Sequence, residues 1–359
     1  VTERRKTRSV KLNHLVLGEP SPVYVQSMTF TKTADREATL AQILELEQAG
    51  CDIVRFSVPD ADAVKSIAFL KEHTNIPLVA DIHFNYRLAI EAAEAGIDKI
   101  RINPGNIGDE GRIKEVVLAC RRRNIPIRIG VNGGSLEKHI LAKYNRATPE
   151  ALVESAMYHV NLLEKFDFYD IVVSIKSSDV SDTIAANRLF AARTDIPLHL
   201  GVTEAGTERM GIIKSAIGIG SLLSDGIGDT IRVSLTADVK KEVKAARDIL
   251  RAIGLEKGIN VVSCPTCSRC NINVIGIAEQ LETLLLNHKE TGKVAQNFKV
   301  AIMGCAVNGP GEASDADIGI AGGNGNALLF RKGEIVGTIP EEDVLHTLMD
   351  EIEKSTEEK

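Results

Sequence analysis

The chain has 359 residues, 44% apolar and 26% charged, with a net charge of −6. That length accommodates two or three domains with sizeable cores, and the acidic balance argues against a general nucleic-acid binder, which carries a basic domain. Six cysteines at this length exclude a disulfide scaffold, and no stretch approaches the 18 uncharged apolar residues of a membrane span.

The first residues, TERRKTRSVKLNHLVLG, are basic but hold neither the apolar core nor the cleavage site of a secretory leader. A surface strand or hairpin laced with charge is expected there. Short β-rich runs then recur: PVYVQSM (22–28), DIVRFSV (52–58), PLVADI (77–82), KIRINP (99–104), PIRIGV (126–131), YDIVVSIK (169–176), PLHLGVT (197–203) and TIRVSL (230–235). Helical stretches lie between them, such as TLAQILELEQAG and RLAIEAAEAG, most ending in the Gly that stops helices. Eight βα units in about 250 residues predict a TIM barrel over residues 1–255. An open doubly wound sheet is the alternative, but no GxGxxG follows the first strand. Cys51 and Cys120 read as small core residues.

A break near LEKGIN (255–260) precedes a second segment, 260–359. NVVSC, FKVAIMG and ADIGIAGG read as strands, and NALLFRKGEIVGTI as a hairpin turning at Lys332-Gly333. INVIGIAEQLETLLLNH and EDVLHTLMDEIEK read as helices, and the polar HKETGKVAQN as a surface loop. These elements predict a smaller α+β domain.

Polar residues gather at the C-terminal ends of the barrel strands: Arg55, Asp81, His83, Arg101, Asn103, Arg128, Asn132, Lys176, Thr203, Glu204, Arg232 and Ser234. That end of a TIM barrel is where active sites form. Cations from five strands would repel one another unless an anion sat among them. Arg offers a fork that matches phosphate oxygens, so the expected ligand is strongly anionic, carrying more than one phosphate. The turns NPGNIG and GVNGGS supply backbone donors, and the absence of GxxxxGK[ST] excludes a P-loop. Glu204 is a candidate proton donor or base.

Cys264, Cys267 and Cys270 are spaced by two residues, and Cys305 follows at a distance. The spacing predicts a metal in a reducing compartment, hence a cytoplasmic protein. Zinc and an iron–sulfur cluster both suit thiolates. The size of the second domain and an anion-lined barrel favour iron. Cys270 and Glu312 are both candidates for the fourth ligand.

MTFTKTAD, ADIHFNYRLA, IRINPGNIG, IRIGVNGGSLE, VSIKSSD, TEAG, GIGDTIRVSL, SCPTCSR and GCAVNGPGE together span the chain. They resemble the bacterial two-domain form of the 4-hydroxy-3-methylbut-2-enyl diphosphate synthase family of the non-mevalonate isoprenoid pathway. The resemblance implies a TIM barrel followed by a [4Fe-4S] domain of the sulfite/nitrite reductase-like type. It implies reductive ring opening and dehydration of 2-C-methyl-D-erythritol 2,4-cyclodiphosphate to (E)-4-hydroxy-3-methylbut-2-enyl diphosphate, with electrons from flavodoxin or ferredoxin. The family's cluster ligands fall on Cys264, Cys267, Cys305 and Glu312. Its substrate-binding residues fall on Arg55, His83, Arg101, Asn103, Arg128, Asn132, Lys176, Arg232 and Ser234, with Asn308 near the cluster and Glu204 as acid/base. It also implies a head-to-tail homodimer with sites shared between chains.

Overall fold

Residues 3–287, 298–306 and 309–357 are described in this computed structural model. The chain divides after Ile253 into two units.

The first unit begins with an antiparallel hairpin, β1 (Val10–Leu12) and β2 (Leu15–Leu17). Eight parallel strands follow: β3 (Tyr24–Met28), β4 (Ile53–Ser57), β5 (Leu78–Ile82), β6 (Lys99–Ile102), β7 (Ile127–Asn132), β8 (Ile171–Lys176), β9 (His199–Leu200) and β10 (Thr230–Ile231). Their order is β8-β7-β6-β5-β4-β3-β10-β9, and a parallel bridge between Val173 and Leu198 joins the two ends of that order into a closed barrel. Every β run expected in the barrel overlaps its strand, that of β7 running one residue further, to Asn132. Side-chain caps start the intervening helices: Asp35 accepts from the Ala38 N–H, Asp60 from Ala63, Asp109 from Arg112 and Thr148 from Ala151. Such a cap is worth about 1 kcal/mol. Gly50 and Gly96 end helices at φ 88° and 90°, a left-handed conformation open to glycine. Cys51 and Cys120 are buried in the core, where loss of hydration pushes both thiols up to about 12.

The basic start is more than a charged surface hairpin. Alternation buries Val10, Leu12 and Leu17 completely while Lys11 stays exposed. These apolar side chains pack on Ile53, Val79 and Val172, in the N-terminal halves of the barrel strands, and so floor the barrel. The neighbouring charges are tied down: Arg4 meets Asp229 at 3.0 Å and Arg8 meets Asp195 and Glu164. Leu12→Ala should therefore lower stability by about 2–5 kcal/mol, read as a shift of the urea midpoint. A loss within a few tenths would show that the hairpin only rests on the surface.

The second unit is one mixed sheet, ordered β11 (Ile259–Ser263), β12 (Phe298–Met303), β13 (Ile318–Gly322), β14 (Asn326–Arg331) and β15 (Glu334–Pro340). The first three strands are parallel and the last two antiparallel. β14 and β15 form the expected hairpin. Lys332 and Gly333 turn it at φ 47° and 83°, the double positive φ that matches strand twist. The helices Val274–Asn287 and Val344–Glu357 pack Val274, Ile277, Leu281, Val344 and Leu348 on Val300, Ile302, Ile318 and Ile320. A smaller cluster, with Met303, Ala313, Ala321 and Phe330, forms separately. The segment HKETGKVAQN lies outside the described residues. No helix among the described residues is long and apolar enough to cross a membrane.

Candidate active site

Parallel strands deliver the polar residues to one end of the barrel. Register places Asp81 beside Arg101, Arg101 beside Arg128, and Asn132 beside Lys176. Asp81 is buried among basic side chains: its Oδ1 accepts from Arg101 at 3.0 Å, and its Oδ2 lies 3.6 Å from Arg55 and 3.9 Å from His83. Burial works against this carboxylate. The field of Arg55, Arg101, His83 and Arg128 outweighs it and holds Asp81 at about 2.

Arg128 and Lys176 are buried, and both have pKa values driven well below the ordinary range, first by desolvation and then by neighbouring cations. Arg55, half-buried, is lowered to about 10 by desolvation, with Asp81 opposing. The Nε of Arg101 and the Nε and Nη1 of Arg128 have no hydrogen-bond partner among the described residues. Buried donors left in that condition are costly unless an acceptor reaches them. The site therefore holds positive charge and unspent donors ready for an anion.

Other expected residues line the same strand ends. Asn103 caps the Gly105 N–H through Oδ1 and donates Nδ2 to Ser135 Oγ at 3.0 Å, which ties the NPGNIG turn to the GVNGGS turn. With its amide oxygen turned inward, Asn132 accepts from Arg101 Nη2 at 3.3 Å. His83 is exposed, and Thr203 and Ser234 are half-buried. Glu204 is exposed in the loop after β9 at φ 52°, a conformation uncommon for a residue with a Cβ.

Several contributors escaped sequence reading. Glu242, buried on the helix Val239–Ala252, faces Arg232 at 3.3 Å and also accepts from Ser27 Oγ and the Leu235 N–H. Met28 Sδ sits 2.9 Å from Arg55 and 3.6 Å from Arg232. Gly130 and Gly201 leave room for two of the cations. A Cβ on Gly130 would stand 2.5 Å from Arg101 Nε, and one on Gly201 would stand 2.6 Å from Lys176 Nζ. Both glycines lie within expected strands, where an isolated glycine signals close approach. Gly130→Ala should displace the Arg101 fork and lower kcat/KM by about 100-fold with the fold intact. Unaltered kinetics would show that Arg101 has other room.

In the second unit, β11 and β12 are parallel neighbours, so the segments that carry Cys264 and Cys305 leave from the same end of the sheet. Cys264 Sγ accepts from the Gly304 N–H at 3.1 Å. Cys267 is exposed, and hydrogen bonds from Arg269 lower its pKa. Arg269 is in turn raised by Cys267, Cys305 and Glu312, which places those three within its electrostatic reach. Cys270 is engaged locally. Its Sγ donates to the Ile272 carbonyl at 3.2 Å, and the side chain packs against the apolar core. Among the described residues, no three His, Cys, Asp or Glu side chains are gathered at metal-binding distance. The donor set, thiols at one sheet end with one lowered thiol and a nearby carboxylate, is nonetheless chemically suited to an iron–sulfur group. Asn308 lies outside the described residues.

Comparison with known proteins agrees with both halves. Residues 7–247 match the GcpE TIM-barrel domain, and residues 260–354 match the GcpE protein C-terminal domain. A 4-hydroxy-3-methylbut-2-en-1-yl diphosphate synthase (flavodoxin) of Caldanaerobacter subterraneus subsp. tengcongensis is 57% identical, over 99% of each chain. One of Clostridium perfringens is 55% identical, over 98% of this chain and 99% of its own. Among solved structures, a dihydropteroate synthase of Yersinia pestis is similar over 68% of this chain and 98% of its own, at 14% identity and a TM-score of 0.49. With its two halves each matching a domain of one family, and its whole length matching these synthases, the chain belongs to the GcpE family.

Proposed function

We infer that the protein is the oxidoreductase that converts 2-C-methyl-D-erythritol 2,4-cyclodiphosphate to (E)-4-hydroxy-3-methylbut-2-enyl diphosphate and water. The carrying observation is identity above one half, along the whole chain, to synthases of that product. The barrel, residues 1–255, binds the diphosphate. Residues 260–359 form an iron–sulfur domain of the sulfite/nitrite reductase-like type. Flavodoxin is the electron donor, as the names of the relatives state for those proteins, with ferredoxin the chemical equivalent. The six free cysteines support a reducing, cytoplasmic setting.

Arg55, Arg101, Arg128, Lys176 and Arg232 clamp the diphosphate, and the unpartnered N–H groups of Arg101 and Arg128 donate to its oxygens. Asp81 and Glu242 hold Arg101, Arg55 and Arg232 in place while leaving the mouth net positive. Asn103, Asn132, Ser234, Thr203 and His83 orient the sugar-derived hydroxyls, and Asn308 is assigned to the cluster side. Cys264, Cys267, Cys305 and Glu312 would hold a [4Fe-4S] cluster. When bound, that cluster supplies two electrons, one at a time, to the substrate. Glu204 supplies the proton with which the departing hydroxyl leaves as water. Anaerobic turnover of the cyclic diphosphate with reduced flavodoxin, followed by mass spectrometry of the product, tests the reading. Consumption without the allylic diphosphate, or no consumption, would overturn it.

The working form is a head-to-tail homodimer in which one chain's barrel serves its partner's cluster domain. Mixed dimers of a Cys264→Ser chain and an Arg232→Met chain should recover activity, because one site then carries both lesions and the other none. No recovery would place each site within one chain.

A further inference from the structure

The barrel interior holds a lysine that the mouth chemistry does not use. Lys99 opens β6 two residues before Arg101, so strand alternation turns both side chains inward. Lys99 is fully buried, and its Nζ has no hydrogen-bond partner among the described residues. The atoms sharing that interior are similarly unserved: both side-chain polar atoms of Gln26 on β3, Arg128 Nε and Nη1 on β7, and His199 Nε2 on β9.

The nearest countercharge is weak. Asp98, the carboxylate that acts on Lys99, already accepts from Lys71 at 2.6 Å, the Leu78 N–H at 2.7 Å and Asn13 at 3.1 Å. Arg128 and Arg55 face Lys99 as like charges. An ammonium here would be a buried, unpaired cation among cations, which proteins avoid by neutralising the group. Burial first, then repulsion from Arg128 and Arg55, accordingly sets Lys99 well below the usual lysine value, with Asp98 opposing.

We propose that Lys99 is a neutral amine that accepts a proton when a diphosphate enters the barrel mouth, and so matches the cation charge of the interior to that of the ligand. The inference rests on the diphosphate reading of the mouth given above. The reaction itself raises the demand. The cyclic dianion, two electrons and one proton give the linear trianion and water. The bond from ring carbon to phosphate oxygen breaks, the adjacent hydroxyl leaves as water, and the freed phosphate oxygen carries the additional charge. The proton on Lys99 is separate from the one consumed. It comes from solvent on binding and returns there on product release. Lys99 is a positioning residue in this scheme, since it acts through the field on Arg128 and the ligand.

Calorimetric titration of the anaerobically prepared holoenzyme with inorganic pyrophosphate, in buffers of different ionisation enthalpy at one near-neutral pH, counts the protons. Wild type should take up about one proton more per pyrophosphate than Lys99→Met. Lys99→Gln should show the same deficit. Side-chain carbon NMR of lysine in the wild-type protein reads the same event without any variant, as an amine signal that becomes an ammonium signal when pyrophosphate is added. Binding with equal proton uptake, or a lysine spectrum unchanged by bound pyrophosphate, overturns the role of Lys99 and leaves the mouth reading standing. Failure of pyrophosphate to bind wild type overturns both.

Discussion

Cys267→Ser should leave the purified protein without its iron–sulfur absorbance and lower turnover at least a hundredfold, since even groups that only support a metal ligand can cost 10- to 100-fold. Cys267 is exposed, and Arg269 holds its thiol below the ordinary value, which favours the thiolate that ligates iron. The informative control is Cys270→Ser. It stands in the same CxxCxxC run, yet its thiol donates to the Ile272 carbonyl and packs with core residues. That variant should keep its iron and lose only some stability. The opposite pattern, iron lost from Cys270→Ser and kept in Cys267→Ser, would place the fourth thiolate at Cys270 and displace Glu312. Mössbauer spectra of the iron-57 protein add an independent reading. One iron in a more ionic, oxygen-ligated setting supports Glu312, whereas four alike support an all-thiolate cluster.

Glu204→Gln should reduce kcat by about 10²- to 10⁴-fold, the usual worth of a positioned proton donor. Iron content and pyrophosphate affinity should stay near wild type, because Glu204 makes no bond to the clamp of arginines among the described residues. Its backbone at φ 52° and that of Gly206 at φ 106° bend the loop after β9 and leave the carboxylate exposed. Strained positions of this kind persist where the surroundings demand them, often at functional sites. Gln keeps the shape and the backbone demand while removing the proton, so the comparison isolates chemistry from folding. An unchanged kcat would remove Glu204 from proton transfer.

Much of the architecture was legible in short windows of sequence. Each β run from 22–28 to 230–235 overlaps a barrel strand, the Gly at position 96 does stop a helix, and the Lys332-Gly333 turn makes its hairpin. These features depend on local rules: side-chain alternation, capping and positive φ. The convergence of Arg55, Arg101, Arg128, Lys176 and Arg232 was legible for the same reason. Parallel barrel strands carry their last inward residues to one face, whatever the helices between them do.

Tertiary structure alone decided what stands beside those residues. Ser27 meets Glu242 and Met28 meets Arg232 only because β10 closes against β3, across some two hundred residues of chain. No periodic pattern marks Glu242 on its helix as the partner of Arg232. Gly201 looked like an ordinary strand residue, and Gly130 like part of a glycine-rich turn, until Lys176 and Arg101 lay across them. The hairpin Val10–Leu17 proved to be a floor because its apolar edge found the open barrel end, and Cys270 is set apart from the exposed Cys267 because its thiol is engaged by the Ile272 carbonyl and the core. The sequence by itself determined the elements and the kinds of chemistry available, since both follow from residue type and spacing. Only closure of the barrel and packing of the sheet decided which charges are paired, which are buried without a partner, and where an anion would relieve them, since electrostatic energy depends on distance and burial rather than on order along the chain.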